Sequence, residues 1–112
     1  MTLKLSRSDF LEMDYRIKFI FTKQGPMRYI SHLDLMRLLM RAMRRANLSL
    51  KITEGFNPHP KLSIKRALKL GLESESEEAS IILRERLLPE DFKNRLTKQL
   101  PEGIIIREAE LI

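Results

Sequence analysis

Across residues 15–22 apolar and polar side chains alternate. Tyr15, Ile17, Phe19 and Phe21 share one face, and Arg16 and Lys18 lie on the other. Such a strand is half-buried and requires a sheet beside it and a second layer over its apolar face. Gln24-Gly25-Pro26 breaks the alternation, and the period then changes to that of a helix over residues 31–46. Ser31 and Asp34 have the spacing of an N-terminal capping box, with the carboxylate at the positive end of the helix. Met36, Leu39, Met40 and Met43 form an apolar stripe, Arg37, Arg41, Arg44 and Arg45 share another face, and Asn47 marks the stop.

Leu48, Leu50 and Ile52 alternate with Ser49, Lys51 and Thr53, the pattern of a second strand. The loop Glu54-Gly55-Phe56-Asn57-Pro58-His59-Pro60 follows, and its prolines bar it from a helix interior or a central ladder. Residues 61–72 and 79–85 read as a hairpin joined by an acidic turn over 73–78. Residues 48–53 and 61–72 are either two strands or one strand interrupted by the loop. Pro89 opens a second helix, with Glu90 and Asp91 in its first turn and Phe92, Leu96 and Leu100 on its buried face. Pro101-Glu102-Gly103 ends it, and residues 104–111 form the last strand. The order β, α, β, β, α, β predicts an α+β fold. Its simplest closure is a ferredoxin-like sandwich, two helices on one face of a mainly antiparallel sheet. Residues 15–112 are read as a single domain and residues 1–14 as an N-terminal extension.

Composition narrows the chemistry. None of the 112 residues is cysteine, which excludes thiolate metal sites, cysteine-bound iron–sulfur clusters, disulfides and cysteine nucleophiles from this sequence. No apolar run approaches the ~18 residues that span a bilayer, and no signal-peptide core is visible, so a cytoplasmic location is expected. The net charge of +6 is segregated. Residues 1–70 carry 15 Lys and Arg against 5 Asp and Glu, and residues 71–112 carry 6 against 10. A basic half beside an acidic half points to a polyanion or a bipolar docking partner, although solvated charge is the commoner explanation.

His32, at the start of the first helix, is the one catalytic candidate, as a general acid–base group. The plainer reading is a packed, hydrogen-bonded first-turn histidine. His32, His59 and the carboxylates show no metal-ligand spacing, so neither metal nor cofactor is expected in this chain. Arg37, Arg41, Arg44 and Arg45 suit phosphate, since a guanidinium fork matches its geometry and stays charged. None of the four has a glutamate four residues earlier, and only Asp34 reaches back to Arg37. The same face read plainly is a solvated one. Lys61, Lys65, Arg66 and Lys69 extend the patch if the hairpin lies beside that helix. Tyr29 and Phe56 can stack on unpaired bases or cap the core, and the methionines are assigned to the core.

Two strings stand apart from what amphipathicity or turn chemistry would produce: Gly25-Pro26-Met27-Arg28-Tyr29-Ile30-Ser31-His32-Leu33-Asp34-Leu35-Met36-Arg37 and Glu54-Gly55-Phe56-Asn57-Pro58-His59-Pro60-Lys61-Leu62-Ser63. Together with Leu70-Gly71-Leu72-Glu73-Ser74 they resemble the uncharacterised domain family encoded beside, or fused to, radical-SAM proteins of the cobalamin type. The resemblance runs from about Tyr15 to the C-terminus. It implies a radical-SAM partner that supplies the iron–sulfur cluster and S-adenosylmethionine, and a role in modifying tRNA or rRNA. Some relatives fused to ribonuclease-type proteins point the same way. Members of that family are commonly longer, so the expectation is that residues 15–112 form the N-terminal part of its domain. Residues 64–68 depart from the family pattern in being basic rather than apolar with a proline.

Three functions follow as expectations. The first is an accessory module that presents RNA, with Ser31, His32, Asp34, Glu54, Gly55, Phe56, Asn57, Pro58 and His59 as motif positions. In it the basic helix holds the backbone, while His32, Asp34, Asn57 and His59 converge near the helix N-terminus. The second is a metal-independent RNA endonuclease using His32, by fold-level analogy alone. The third is a protein-interaction domain that docks on the radical-SAM partner.

Overall fold

The computed structural model describes residues 14–112, so all of the expected N-terminal extension except Asp14 lies outside the described residues. Strand β1 (Tyr15–Lys23) is followed by a 3-10 turn (Gly25–Tyr29) and helix α1 (His32–Arg45). Then come β2 (Leu62–Ile64), β3 (Ser74–Leu83), helix α2 (Pro89–Thr97) and β4 (Ile106–Leu111). The four strands form one antiparallel sheet in the order β2-β3-β1-β4. This is the expected ferredoxin-like sandwich, with β1 and β3 in the middle.

The alternation in β1 has the consequence anticipated for it. Ile17, Phe19 and Phe21 are fully buried and share their face with Ala79, Ile81 and Leu83 of β3. Leu35, Leu39, Ala42 and Met43 of α1 and Phe92 and Leu96 of α2 belong to the same core. The ring of Phe19 lies 5.5 Å from that of Phe92, centroid to centroid. The stripe on α1 is rotated from the expected one. Met36 and Met40 lie at the margin, and the smaller Ala42 takes a central place where helix and sheet approach closely. Ser31 is the N-cap, its Oγ accepting from the Asp34 N–H at 3.1 Å. Ser31→Ala is expected to cost about 1 kcal/mol in urea denaturation, because this donor then has only water. At the other end Arg95 of α2 donates to the carbonyls of Ala46 (2.8 Å) and Asn47 (2.7 Å), satisfying acceptors that α1 leaves open.

Of the two readings of residues 48–53 and 61–72, the structure takes the single strand interrupted by the loop, and that strand ends at Ile64. Leu50 pairs with Leu83, and Leu62, Ser63 and Ile64 pair with Ile81, Ser80 and Ala79, so both stretches follow the same edge of β3. The chain leaves that edge after Lys51 and rejoins it at Lys61, whose N–H donates to the Lys51 carbonyl at 3.0 Å. Pro58 and Pro60 offer no N–H to a ladder, so the intervening residues are extruded.

The acidic turn is corrected to a strand. Ser74 to Glu78 belong to β3, while residues 65–73 make the connection. The nine-residue β1 needs a partner along its whole length for its backbone groups, and Phe21 accordingly faces Glu77 and Lys23 faces Ser74. The carboxylates are tolerated there because cations meet them: Glu78 lies near Lys18 (3.7 Å) and Lys65 (3.8 Å), and Glu75 lies 3.9 Å from Arg107.

Candidate nucleic-acid interface

Burial of Leu35, Leu39, Ala42 and Met43 turns Arg37, Arg41, Arg44 and Arg45 toward solvent, as 3.6 residues per turn requires. Arg37 lies 3.6 Å from Asp34, an exposed pair of small energetic value. Among the described residues Arg41, Arg44 and Arg45 have no carboxylate partner. Two shallow grooves flank them. One runs along α1 between Asp34, Arg37, Met40, Arg41 and Arg44. The other lies between the helices and holds Leu38, Arg41, Arg45 and Lys98. Arg41 lines both.

Several other basic side chains are engaged. Arg66 grips Glu77 with its Nε and Nη2, the shortest contact being 2.8 Å. Lys65 lies near Glu78 and lines a depression on the face of the sheet away from the helices. Neither therefore extends the α1 patch. Lys61 is exposed beside β2, without a carboxylate partner among the described residues. Lys18, on the uncovered face, is held above the ordinary lysine value, first by its hydrogen bond and charge contact with Glu110 and then by Glu78. Among the described residues that face also lacks aromatic rings: Arg16, Lys18 and Ile20 point there from β1, while Phe19 and Phe21 point inward.

The motif positions separate. Ser31 caps α1, His32 is its half-buried first residue, and Asp34 turns to Arg37. No hydrogen bond orients the His32 ring among the described residues, and no group of three His, Cys, Asp or Glu could hold a metal among them. The string 54–60 lies elsewhere. α1 starts beyond Lys23, the last residue of β1, whereas the extruded loop leaves beside Leu50 and Leu83, level with Tyr15 at the first residue of β1. The convergence of His32 and Asp34 with Asn57 and His59 is therefore corrected: the two strings occupy opposite ends of the sheet. What meets the first string is residues 70–73. The Gly71 N–H donates to the Arg28 carbonyl at 2.6 Å. Glu73 accepts from the Gly25 N–H and lies 3.6 Å from Arg28, which also sits over the Tyr29 ring.

Sequence reasoning missed a buried charge cluster. Lys23 is wholly buried, and its Nζ has no hydrogen-bond partner among the described residues. Glu77 is 2% exposed and accepts from Arg66 and from Ser74 Oγ. The signal was present in the period: Lys23 continues the inward series Ile17, Phe19, Phe21.

Residues 15–112 match the sequence profile of a family described as an uncharacterized protein conserved in bacteria, DUF2344. The chain belongs to this family. No curated protein and no solved structure matches it. The DUF2344 match begins at Tyr15, the first residue of β1, and includes both helices, both strings and Ile112. The DUF2344 region and the described fold thus coincide. No helix among the described residues of this DUF2344 chain is long and apolar enough to cross a membrane.

Proposed function

We propose that this DUF2344 chain is an accessory module that binds RNA along α1 and acts with a radical-SAM enzyme in RNA modification. The observation that carries the reading is the unpaired state, among the described residues, of Arg41, Arg44 and Arg45 on one exposed helix, while Arg66, Lys65, Lys18 and Arg95 are committed within the fold. Free guanidinium forks are what a phosphate backbone rewards. The sheet face away from the helices, by contrast, shows among the described residues no ring on which a base could stack, and its lysines Lys18 and Lys65 lie beside carboxylates, so the helix carries the binding. The sequence holds no cysteine, and the iron–sulfur cluster and S-adenosylmethionine belong to the partner.

The test is fluorescence anisotropy with a mixed tRNA pool across a salt series, comparing wild type with Arg41→Glu/Arg44→Glu. Affinity is expected to fall steeply with salt. In the variant the slope of log K against log salt should be shallower by about 1.5–2, as two phosphate contacts are lost. Equal slopes, or binding no tighter than that of a control protein of the same net charge, would remove RNA from the reading.

One observation favours a second reading, docking on a protein partner. Tyr29, Leu33, Leu70 and Leu72 are exposed, and the Gly71–Arg28 hydrogen bond brings their two segments together at the end of the sheet where β1 finishes. A negative anisotropy result would make this end the surface to pursue.

A further inference from the structure

The extruded loop is braced from within. The Thr53 N–H donates to the His59 carbonyl at 2.8 Å, and the His59 N–H returns a bond to Thr53 Oγ1 at 3.1 Å. Ile52 pairs with Pro60, which is buried, and the His59 ring donates through Nδ1 to the Pro60 carbonyl at 3.0 Å. At the tip of this frame stands Phe56, fully exposed with a relative accessibility of 104%. Folding normally removes a phenyl ring from water, and among the described residues nothing covers Phe56. A braced loop presents the ring at little entropic cost on binding.

Its position matters as much as its exposure. The Leu48 N–H closes on the Met43 carbonyl in the last turn of α1 at 3.2 Å, and Leu50 pairs with Leu83 directly afterwards. The loop therefore rises from the end of the sheet where α1 finishes, the end that carries Arg44 and Arg45. Guanidinium groups take phosphates and a bare ring takes a base, which are the two parts of a nucleotide. We infer that Phe56 is a stacking platform for an unpaired base, so that the domain takes single-stranded RNA in preference to duplex. This rests on the RNA-binding reading and deepens it. In a duplex the base faces are already stacked, and only an unpaired nucleotide offers one to the ring. The exposed neighbours of Phe56 in the loop include Glu54, Asn57 and His59, and the apolar ones are Pro58 beside it and Ile52 at the loop base, with no second aromatic or long aliphatic side chain at the tip. A protein-binding hot spot is instead surrounded by other excluding contacts, and Tyr29, Leu33, Leu70 and Leu72 lie at the opposite end of the sheet.

The sequence contains no tryptophan, so Phe56→Trp installs a single fluorescent reporter at the ring. With a single-stranded oligoadenylate of about twelve nucleotides, quenching of that tryptophan is expected, and with a hairpin duplex of equal length none. Phe56→Ala and Phe56→Leu should each weaken single-strand binding about five- to a hundredfold. They should leave the salt slope and the duplex affinity as in wild type, because the ring contributes no charge. Leucine retains the apolar bulk and loses only the π face. Phe56 is fully exposed among the described residues, and an unchanged urea midpoint confirms that each variant is folded. Wild-type affinity in Phe56→Ala, or unquenched tryptophan at saturating single strand, overturns the stacking role while phosphate binding stands, and transfers the ring to a protein contact. Absence of salt-dependent RNA binding in the wild type overturns both readings together.

Discussion

Glu77→Ala is expected to cost about 3 kcal/mol of stability at neutral pH, because it strips the counter-charge from cations that the fold has placed around it. The carboxylate accepts from Arg66 Nη2 at 2.8 Å and from the Ser74 hydroxyl at 2.9 Å. Arg66 is 63% exposed and can turn to water when Glu77 is lost. Lys23 cannot, being fully buried without a hydrogen-bond partner among the described residues. Its ammonium would remain in a low-dielectric environment with the nearby carboxylate gone. Lys23→Met added to Glu77→Ala should therefore recover part of the loss, a coupling that a double-mutant cycle reads directly.

Protonation makes the same point through pH. Burial alone pushes the Glu77 carboxyl up, but the Arg66 and Ser74 hydrogen bonds and the charges of Arg66 and Lys23 outweigh it and hold it below the ordinary value of 4.5. A carboxyl whose folded value lies below its unfolded one stabilises fully above the unfolded value. It loses that contribution as pH falls through the folded one. The stability gap between wild type and Glu77→Gln should thus be constant from about pH 7 to about pH 5 and narrow below it in urea titrations. A gap unchanged down to about pH 3 would show that the charge of Glu77 contributes nothing.

Gly103→Ala should be as damaging, about 3 kcal/mol or a fall in melting temperature of about 12–20 °C. Gly103 has φ +99, which an L side chain resists, and a Cβ there would collide with the Gln24 carbonyl oxygen and touch Met27. The glycine carbonyl is itself pinned, accepting from the Gln24 N–H at 2.9 Å and the Thr22 hydroxyl at 3.0 Å. Thr22 Oγ1 in turn accepts from the Ile105 N–H at 2.9 Å. The chain cannot back away without breaking the seam that leads into β4. Met27→Ala should not rescue the variant, since the harder obstacle is backbone. Rescue in thermal denaturation would place the strain in the side chain instead.

Where the sequence was informative, local chemistry was sufficient. Alternation in residues 15–22, the Ser31 cap, the 3.6-residue spacing of the arginines and Pro89 at a helix start each depend on neighbours within one turn or one pleat, and each element formed where expected. The sandwich itself followed from the order of elements. Local pattern failed where a partner strand imposed the outcome. Residues 73–78 look like a solvated turn, yet β1 recruits Ser74 to Glu78 into β3 because its own backbone groups must be bonded. Residues 48–53 and 61–72 left two readings open, and only the shared edge of β3 selected one strand interrupted by the loop.

The division is sharpest for the candidate sites. The residue types were set by the sequence alone: an arginine-rich helix, a proline-stiffened loop with one phenylalanine, no thiolate, and two unusual strings. Which of them meet was decided only by the register of the sheet. It parts His32 from His59, joins the first string to residues 70–73, and puts Phe56 at the end of the sheet that carries Arg44 and Arg45. It also brings Glu77 beneath Arg66 and close to Lys23, far apart in sequence. Contacts of that kind depend on which strands pair and how far they slide, a choice made by burying Ile17, Phe19 and Phe21 against a common core and by no residue acting alone.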